Sequence, residues 1–441
     1  MSQVDAAGWR ANAIVFSCAA LPRLFYLLVA PPRFQNEYWD MAASVLHNGT
    51  LGFDGVPTTR FEPLYPFLVA ALRLLTGDRV LVAQALQVAI GSIAAVCLFH
   101  LTESLTGNRR AAFLAAGLFA IYPLSIRHSA DGTDVTLMAT LVIASCWMFV
   151  VAETPVQAAI AGAVLGLATL TRTMALPLVP LAAFLLFKEH RPRAALAFTA
   201  AALVVFAPYA IRNYSQNGAT LPTRTGVNLF VSNSEYTQAL VPTYPADLLE
   251  EYAESLLVRD GIGSENGLTP ALERQQDIAL TRHAWADMRR RPIELVSLRA
   301  KYIFYFLAPF LVPGQSPEAP AAKLEAGGRV RVTGFVPRPL WERAVYTLSY
   351  GAVLALAICA LVRGIRHRTR HLREAILWCV AGTFVAAHSV FFPATRYRLP
   401  MDFVLLYYAA IELDARRRYV GSAFRRTHPA KGRIPRADPS G

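Results

Sequence analysis

Two pairs of carboxylates, each pair three residues apart, are the first residues in this chain that could do chemistry. Glu37 and Asp40 lie in Asn36-Glu37-Tyr38-Trp39-Asp40, and Asp131 and Asp134 in Asp131-Gly132-Thr133-Asp134. One carboxylate in such a group can take the proton of an attacking hydroxyl while another orients it or helps to hold a cation. Arg60, Arg127, Arg212, Arg224, Arg396 and Arg398 supply the complementary charge. Their planar forks stay charged and make paired bonds to phosphate oxygens, so they suit a phosphate leaving group. His128 adds a donor when neutral and a charge when protonated. Arg396 and Arg398 stand out because they precede the last apolar run and Pro400 follows at once. The plainer alternative is that the carboxylates face water and the arginines solvate loops or snorkel.

Arg23 and Arg172 sit in otherwise apolar surroundings. A charge inside a membrane is expensive and asks for a partner or a function. Arg172 separates two short hydrophobic halves and reads as an interfacial turn, whereas Arg23 reads as paired within a bundle. Neither position identifies a catalyst.

The elements that must position these groups are membrane helices. Of 441 residues, 54% are hydrophobic and 17% charged, with a mean hydropathy of +0.36. A soluble chain carries about 25% charged residues. Apolar runs near the length needed to cross a bilayer, roughly 20 residues, recur at 12–30, 80–101, 111–126, 134–152, 156–171, 173–188, 194–211, 342–362, 374–392 and 398–414. The segments 64–76 and 302–312 are too short and read as interfacial or re-entrant. The expected fold is therefore an all-α polytopic membrane bundle with extracytoplasmic loops and short interfacial helices. The first run has one Arg before it and no small-residue cleavage site after it, so it reads as a retained span.

Charge sets the expected orientation. With the N-terminus inside and ten crossings, Arg109 and Arg110, the 188–193 cluster, the 363–373 cluster and the tail are cytoplasmic. Residues 31–79, 127–133, 212–341 and Arg396 then fall outside, which gathers both carboxylate pairs and the candidate arginines on one side. Arg289, Arg290 and Arg291 are the exception, a mild one within a long translocated loop. The chain divides into an N-terminal membrane module at 1–211 with a first catalytic loop at 31–79, a long extracytoplasmic loop at 212–341, membrane helices at 342–414 and a basic tail at 415–441. Residues 39–46 suit a short helix lying on the membrane, followed by a Gly/Asp turn at 52–55. The long loop should hold helices over about 245–258 and 270–290, the second capped by Thr269 with Pro270 at its first position.

A net charge of +13 brings nucleic acid to mind, but the basic residues cluster between apolar runs, where anionic headgroups are their natural partners. No nucleic-acid partner is expected. The five cysteines, Cys18, Cys97, Cys146, Cys359 and Cys379, all lie in apolar runs without metal-ligand spacing and read as small core or lipid-facing residues.

Five blocks, in order, resemble the bacterial glycosyltransferases related to dolichyl-phosphate-mannose protein mannosyltransferases, members of the membrane-embedded GT-C superfamily that also contains the lipid A aminoarabinose transferases. They are NEYWDMAASVLHNGTLGFDGVPTTRFEPLYPFLVA, GLFAIYPLSIRHSADGTDVTLMATL, GLATLTRTMALPLVP, APYAIRNYSQNGATLPTRTGVNLFVSN and RYRLPMDF. Tyr38 and Ala42 occupy the family's tyrosine–alanine spacing, Thr133 and Asp134 its Thr-Glu position, and Arg172, Arg212 and Asn213 its arginine turn and loop opening. The departures are Asn36 and Gln35 where an aspartate is common, Glu62 where proline is common, and Asp134 for glutamate.

The resemblance implies a GT-C-like bundle and a polyprenyl-phosphate-linked sugar donor, with a lipid, glycan or protein acceptor. Transfer would occur on the extracytoplasmic side, with inversion at the anomeric carbon. Glu37 is the substitute base, with Asp40 and Asp134 as further catalytic carboxylates. Asp131 and Asp134 would orient the acceptor or a metal, and Arg60, Arg127, His128, Arg212, Arg396 and Arg398 would bind the donor phosphate. No cofactor is required, although a divalent cation, Mg or Mn, is compatible. The implied location is the bacterial cytoplasmic membrane. A lipid-linked sugar flippase accounts for the spans as well, though less naturally for polar groups gathered at one face; no inverted repeat typical of secondary transporters is evident. A noncatalytic membrane assembly protein is the third alternative.

Overall fold

A computed structural model describes residues 3–30, 33–34, 36–242, 246–264, 267–312, 314–315, 322–325, 329–332, 335–367 and 372–427. Gln35 and the tail beyond 427, both used in the sequence reading, lie outside the described residues. The chain is all-α. In order come α1 (Gln3–Val29), α2 (Asn36–Asn48), α3 (Leu64–Thr76), α4 (Val80–Thr106), α5 (Arg109–Ala120) and α6 (Pro123–Ala130). Next are α7 (Val135–Val151), α8 (Pro155–Thr171), α9 (Leu178–Lys188), α10 (Pro192–Asn217), α11 (Thr225–Asn233) and α12 (Thr237–Leu240). The last six are α13 (Ala246–Arg259), α14 (Pro270–Arg290), α15 (Pro292–Leu307), α16 (Leu340–His367), α17 (Ala375–Val390) and α18 (Leu399–Thr427). Among the described residues, strands occur only as four short two-stranded pairs, with no closed sheet.

Each of the ten expected apolar runs is a helix or a bent pair of helices. Among the described residues four helices, α1 from Gly8, α4, α10 and α16 to Gly364, are long and apolar enough to cross a membrane by themselves. The pair α5 and α6 makes a fifth, bent by 54° where Pro123 follows the break. The apolar helices α7 and α8 have 17 residues each, α17 has 16, and α9 continues from a 3-10 turn at Thr173–Ala175. Close helix contact rests on small residues. A Cβ on Gly162 would collide with the carbonyl oxygen of Phe198, so the Gly162–Gly166 spacing lets α8 lie directly along α10.

The helices sort the polar groups into two ends. At one end Asp414 accepts from Asn108 (2.8 Å) and pairs with Arg110 (3.6 Å). There Glu412 also meets Arg363 and Arg416, each at 2.7 Å. Arg373 reaches Glu189 (3.2 Å) and the Val150 carbonyl (2.7 Å). These contacts bring Arg110, Arg363 and Arg373, with Glu189, to one end of the bundle.

The other end carries α2, α3 and the long loop. Tyr38, Met41 and Ala42 bury one face of α2 against Phe61, Tyr65 and Val69. The expected turn is a tight hairpin, with Gly52 and Phe53 paired to Pro57 and Val56 and positive φ at Asp54 (50°) and Gly55 (82°). In the long loop, the helix expected over 245–258 runs from Ala246 to Arg259, and α14 starts as expected, with the Thr269 hydroxyl accepting from the Leu272 amide. The loop adds helices that periodicity did not suggest, α11, α12 and the first half of α15, and α11 to α14 share their own apolar core. The short apolar segment expected at 302–312 is the second half of α15, which stops at Leu307.

Candidate active site

The centre of the polar end is built from five residues on four separate segments. Asp134 stands at the start of α7 and is 1% exposed. Arg172, at the end of α8, grips it with Nε–Oδ2 at 2.5 Å and Nη2–Oδ1 at 3.0 Å. The Arg172 guanidinium also lies 4.6 Å from the ring centre of Tyr397, in the 3-10 turn Thr395–Arg398 before α18. Glu62, partly buried in the first loop, accepts from the Thr173 amide (2.8 Å) and hydroxyl (2.9 Å) through one oxygen. Burial pushes the Glu62 carboxyl above its ordinary pKa, and the Arg172 charge opposes that shift. Tyr38 of α2 is within electrostatic reach of Asp134, Arg172, Glu62 and Tyr397. Its ring packs edge-on against Tyr65 at 4.9 Å.

The predicted carboxylates take different positions. Glu37 opens α2 beside Tyr38 and is partly exposed. Asp40 lies off the buried Tyr38–Met41–Ala42 face and is exposed. A two-residue parallel pairing of Arg33 and Phe34 with Asp131 and Gly132 draws the start of α2 to the α6–α7 junction. The Asp131 carboxylate faces Arg127 (3.7 Å) and His128 Nδ1 (3.4 Å), not the Asp134–Arg172 pair. The two aspartates thus serve different partners. Among the described residues no three His, Cys, Asp or Glu side chains gather as a metal would require. With both Asp134 oxygens taken by Arg172, this donor set does not fit a resident cation shared by Asp131 and Asp134.

The arginines divide into anchors and open groups. Arg212 donates to the carbonyls of Thr58 (2.9 Å) and Leu51 (3.0 Å), pinning the first loop to the end of α10. Arg60 donates to Gln276 (2.7 Å) beside Glu273 (3.9 Å). Arg398 differs from its expected place at an open mouth. It is fully buried, bonded to Asp402 (2.9 Å) and the Phe306 carbonyl (3.1 Å), with Tyr350 3.5 Å away under its guanidinium. The short turn tucks it beneath the bundle end, where that network satisfies its charge. Arg396 and Arg127 are the open ones. Arg396 is exposed, 4.8 Å from the Tyr397 ring centre, and donates to the Tyr397 hydroxyl at 2.9 Å. Arg224 lies over Phe61 at 5.0 Å.

Sequence reasoning missed Glu273, Tyr397 and His388. Glu273, 2% exposed on α14, accepts from the Thr58 hydroxyl (2.5 Å), the Thr59 amide (2.7 Å) and the Thr59 hydroxyl (2.7 Å). A lone glutamate in the first turn of a polar helix looks like an ordinary dipole partner and carries no signal of that contact.

No curated protein sequence matches the chain. Residues 57–211 match the family model described as dolichyl-phosphate-mannose-protein mannosyltransferase, and this segment contains Glu62, Asp134 and Arg172. Among solved structures, the fold is similar to the archaeal oligosaccharyltransferase AglB from Archaeoglobus fulgidus in complex with an inhibitory peptide and a dolichol-phosphate. That likeness has a TM-score of 0.53 and 16% identity over 96% of this chain and 52% of that one. The Archaeoglobus fulgidus oligosaccharyltransferase complex with Zn and sulfate gives 0.51 and 16% over 95% and 51%. ArnT from Cupriavidus metallidurans bound to undecaprenyl phosphate aligns over 98% of this chain and 82% of that one at 16% identity, with a TM-score of 0.36. The chain spans about half the length of the archaeal enzyme. The chain is thus an all-α helical bundle similar in fold to the archaeal oligosaccharyltransferase, and residues 57–211 within it are similar to the dolichyl-phosphate-mannose-protein mannosyltransferase family.

Proposed function

We propose that this protein is a membrane glycosyltransferase that moves a sugar from a polyprenyl-phosphate donor to a lipid, glycan or protein acceptor. The observation that carries the proposal is the coincidence of the matched segment with the polar end. Glu62, Asp134 and Arg172 all belong to residues 57–211 and all meet around Tyr38 and Tyr397, the chain neighbours of Glu37 and Arg396. The basic groups at the opposite end support an orientation in which that end is cytoplasmic and the site faces outward from a bacterial inner membrane.

In this mechanism Glu37 takes the proton of the acceptor hydroxyl. The acceptor oxygen forms a bond to the anomeric carbon as the carbon–oxygen bond to phosphate breaks on the opposite face, which inverts that carbon. The polyprenyl phosphate leaves with the electron pair. Arg396 and Arg127, the open cations, stabilise the negative charge that grows on the leaving oxygen. Asp134 and Arg172 form a fixed pair that positions the start of α7 against Tyr397. Arg60 and Arg212 act at one remove by holding the first loop in place. No step is routed through a metal.

The purified protein supplied with a radiolabelled polyprenyl-phosphate sugar and envelope acceptors should transfer label, and Glu37→Gln should abolish transfer while leaving the fold intact. Movement of the lipid-linked sugar across the bilayer without transfer would instead establish the flippase reading.

A further inference from the structure

His388 lies in the last turn of α17, 1% exposed and unused by the chemistry above. Its Nδ1 is 3.1 Å from the carbonyl oxygen of Phe392, which can only accept, so Nδ1 carries the proton. Its Nε2 has no hydrogen-bond partner among the described residues. The one hydrogen bond at Nδ1 thus holds the ring in a single tautomer and orientation.

Its two aromatic neighbours come from different elements. Phe306 of α15 stacks on it with centroids 4.5 Å apart, and Tyr397 stacks almost parallel, at 9° and 5.5 Å. Tyr397 in turn carries two guanidiniums, Arg172 at 4.6 Å and Arg396 at 4.8 Å. Arg172 is committed to Asp134, whereas Arg396 is exposed and tied back through the Tyr397 hydroxyl. The next segment of chain is fixed as well, since the Phe392 amide donates to the Ser232 hydroxyl at 2.9 Å. A flat ring stacked between Phe306 and Tyr397 sets the plane of Tyr397, and that plane sets where Arg396 can point.

We infer that His388 is a positioning residue for the anion-binding Arg396, acting through the ring of Tyr397. The anion is the phosphate of the lipid donor, so this inference rests on the glycosyltransferase reading. A core histidine that only fills space would tolerate any replacement of similar size. Here the aromatic plane matters and the polar edge matters less.

The test is the affinity of the full-length protein, in nanodiscs, for undecaprenyl phosphate carrying no sugar. His388→Phe keeps the stack and should bind within about threefold of the wild type, whereas His388→Gln loses it and should bind roughly tenfold more weakly. Tyr397→Leu, which removes the intermediate ring, should match His388→Gln and guards against a glutamine variant that fails to fold. Adding His388→Gln to Arg396→Ala should weaken binding no further than Arg396→Ala alone, because both changes remove the same interaction. Additive losses, a Phe variant as weak as the Gln variant, or a Gln variant that binds like the wild type would each overturn the inference while leaving the donor reading intact. Failure of the wild type itself to bind undecaprenyl phosphate would overturn the donor reading and, with it, this inference.

Discussion

Arg172 holds Asp134 by two parallel hydrogen bonds, 2.5 and 3.0 Å long, joining the end of α8 to the start of α7. The carboxylate is buried, while the arginine side chain keeps 24% of its surface open. Removing one partner leaves the other charge short of compensation, and the partial opening tempers the loss. Asp134→Asn should destabilise the protein by about 2 kcal/mol. Arg172→Lys should recover less than half of what Arg172→Ala loses, because an ammonium cannot make the two-point contact. Thermal melts in detergent would check both; an Asn variant as stable as the wild type would remove the pair from any positioning role.

Glu273 and Thr59 make a second prediction. The buried carboxylate receives three hydrogen bonds from Thr58 and Thr59, fastening the first loop to α14 of the long loop. Glu273→Ala leaves those donors without their acceptor and should cost about 2–3 kcal/mol, with Glu273→Gln losing less because its amide oxygen still accepts. Hydrogen exchange should then speed up at residues 51–60. Unchanged protection there in Glu273→Ala would show that the loop is held without Glu273, by Arg212, Arg60 and the Asn217 amide.

The same contact marks where legibility in the sequence ended. Apolar run length located every helix of the bundle because the bilayer imposes that length on each one locally. The Thr269–Pro270 start of α14 and the Asp54-Gly55 hairpin were readable for the same reason, since caps and tight turns are decided by neighbouring residues. Glu273 and Thr59 are far apart in the chain and meet only after the long loop folds back, so no spacing announces them. The arginines failed in a related way. Arg396 and Arg398 are two residues apart and looked alike, yet one is exposed and the other is sealed against Asp402 and Tyr350. Their separation depends on a single 3-10 turn and on α16 lying beside it, which neither residue's type encodes.

Glu62 gives a pH-dependent prediction. Burial raises its pKa in the folded state above the unfolded value, so the folded protein binds the extra proton more tightly. Its contribution is then most favourable below the ordinary carboxylate range and is lost as pH rises through the raised pKa. Both Thr173 donors use one oxygen, which a glutamine can supply. Glu62→Gln should therefore melt above the wild type near pH 7, and this advantage should shrink as the pH falls towards about 4. An advantage that grew on acidification would show that the attraction of Arg172 outweighs burial.

Arg23 tests how the bent pair α5–α6 is held. Deep in the bundle and fully buried, it donates to the carbonyls of Ala19 (2.7 Å), Ala120 (3.2 Å) and Phe119 (3.4 Å) and to the hydroxyls of Ser125 (2.6 Å) and Ser129 (3.1 Å). Phe119 and Ala120 end α5 and carry the negative end of its dipole; the Phe119 carbonyl also accepts from the Tyr122 amide at 3.3 Å, whereas the Ala120 carbonyl relies on Arg23. The guanidinium serves as a cap supplied by α1, at the 54° bend. Arg23→Met fits the volume and avoids burying a charge, yet it takes from the Phe119 and Ala120 carbonyls their charged donor. The second effect should dominate, because α5 cannot rewind past Pro123 to satisfy them. A loss of about 2 kcal/mol is expected, whereas Arg23→Lys, with one compact donor group, should fall between. Were Arg23→Met as stable as the wild type, the bend would be held by Pro123 alone.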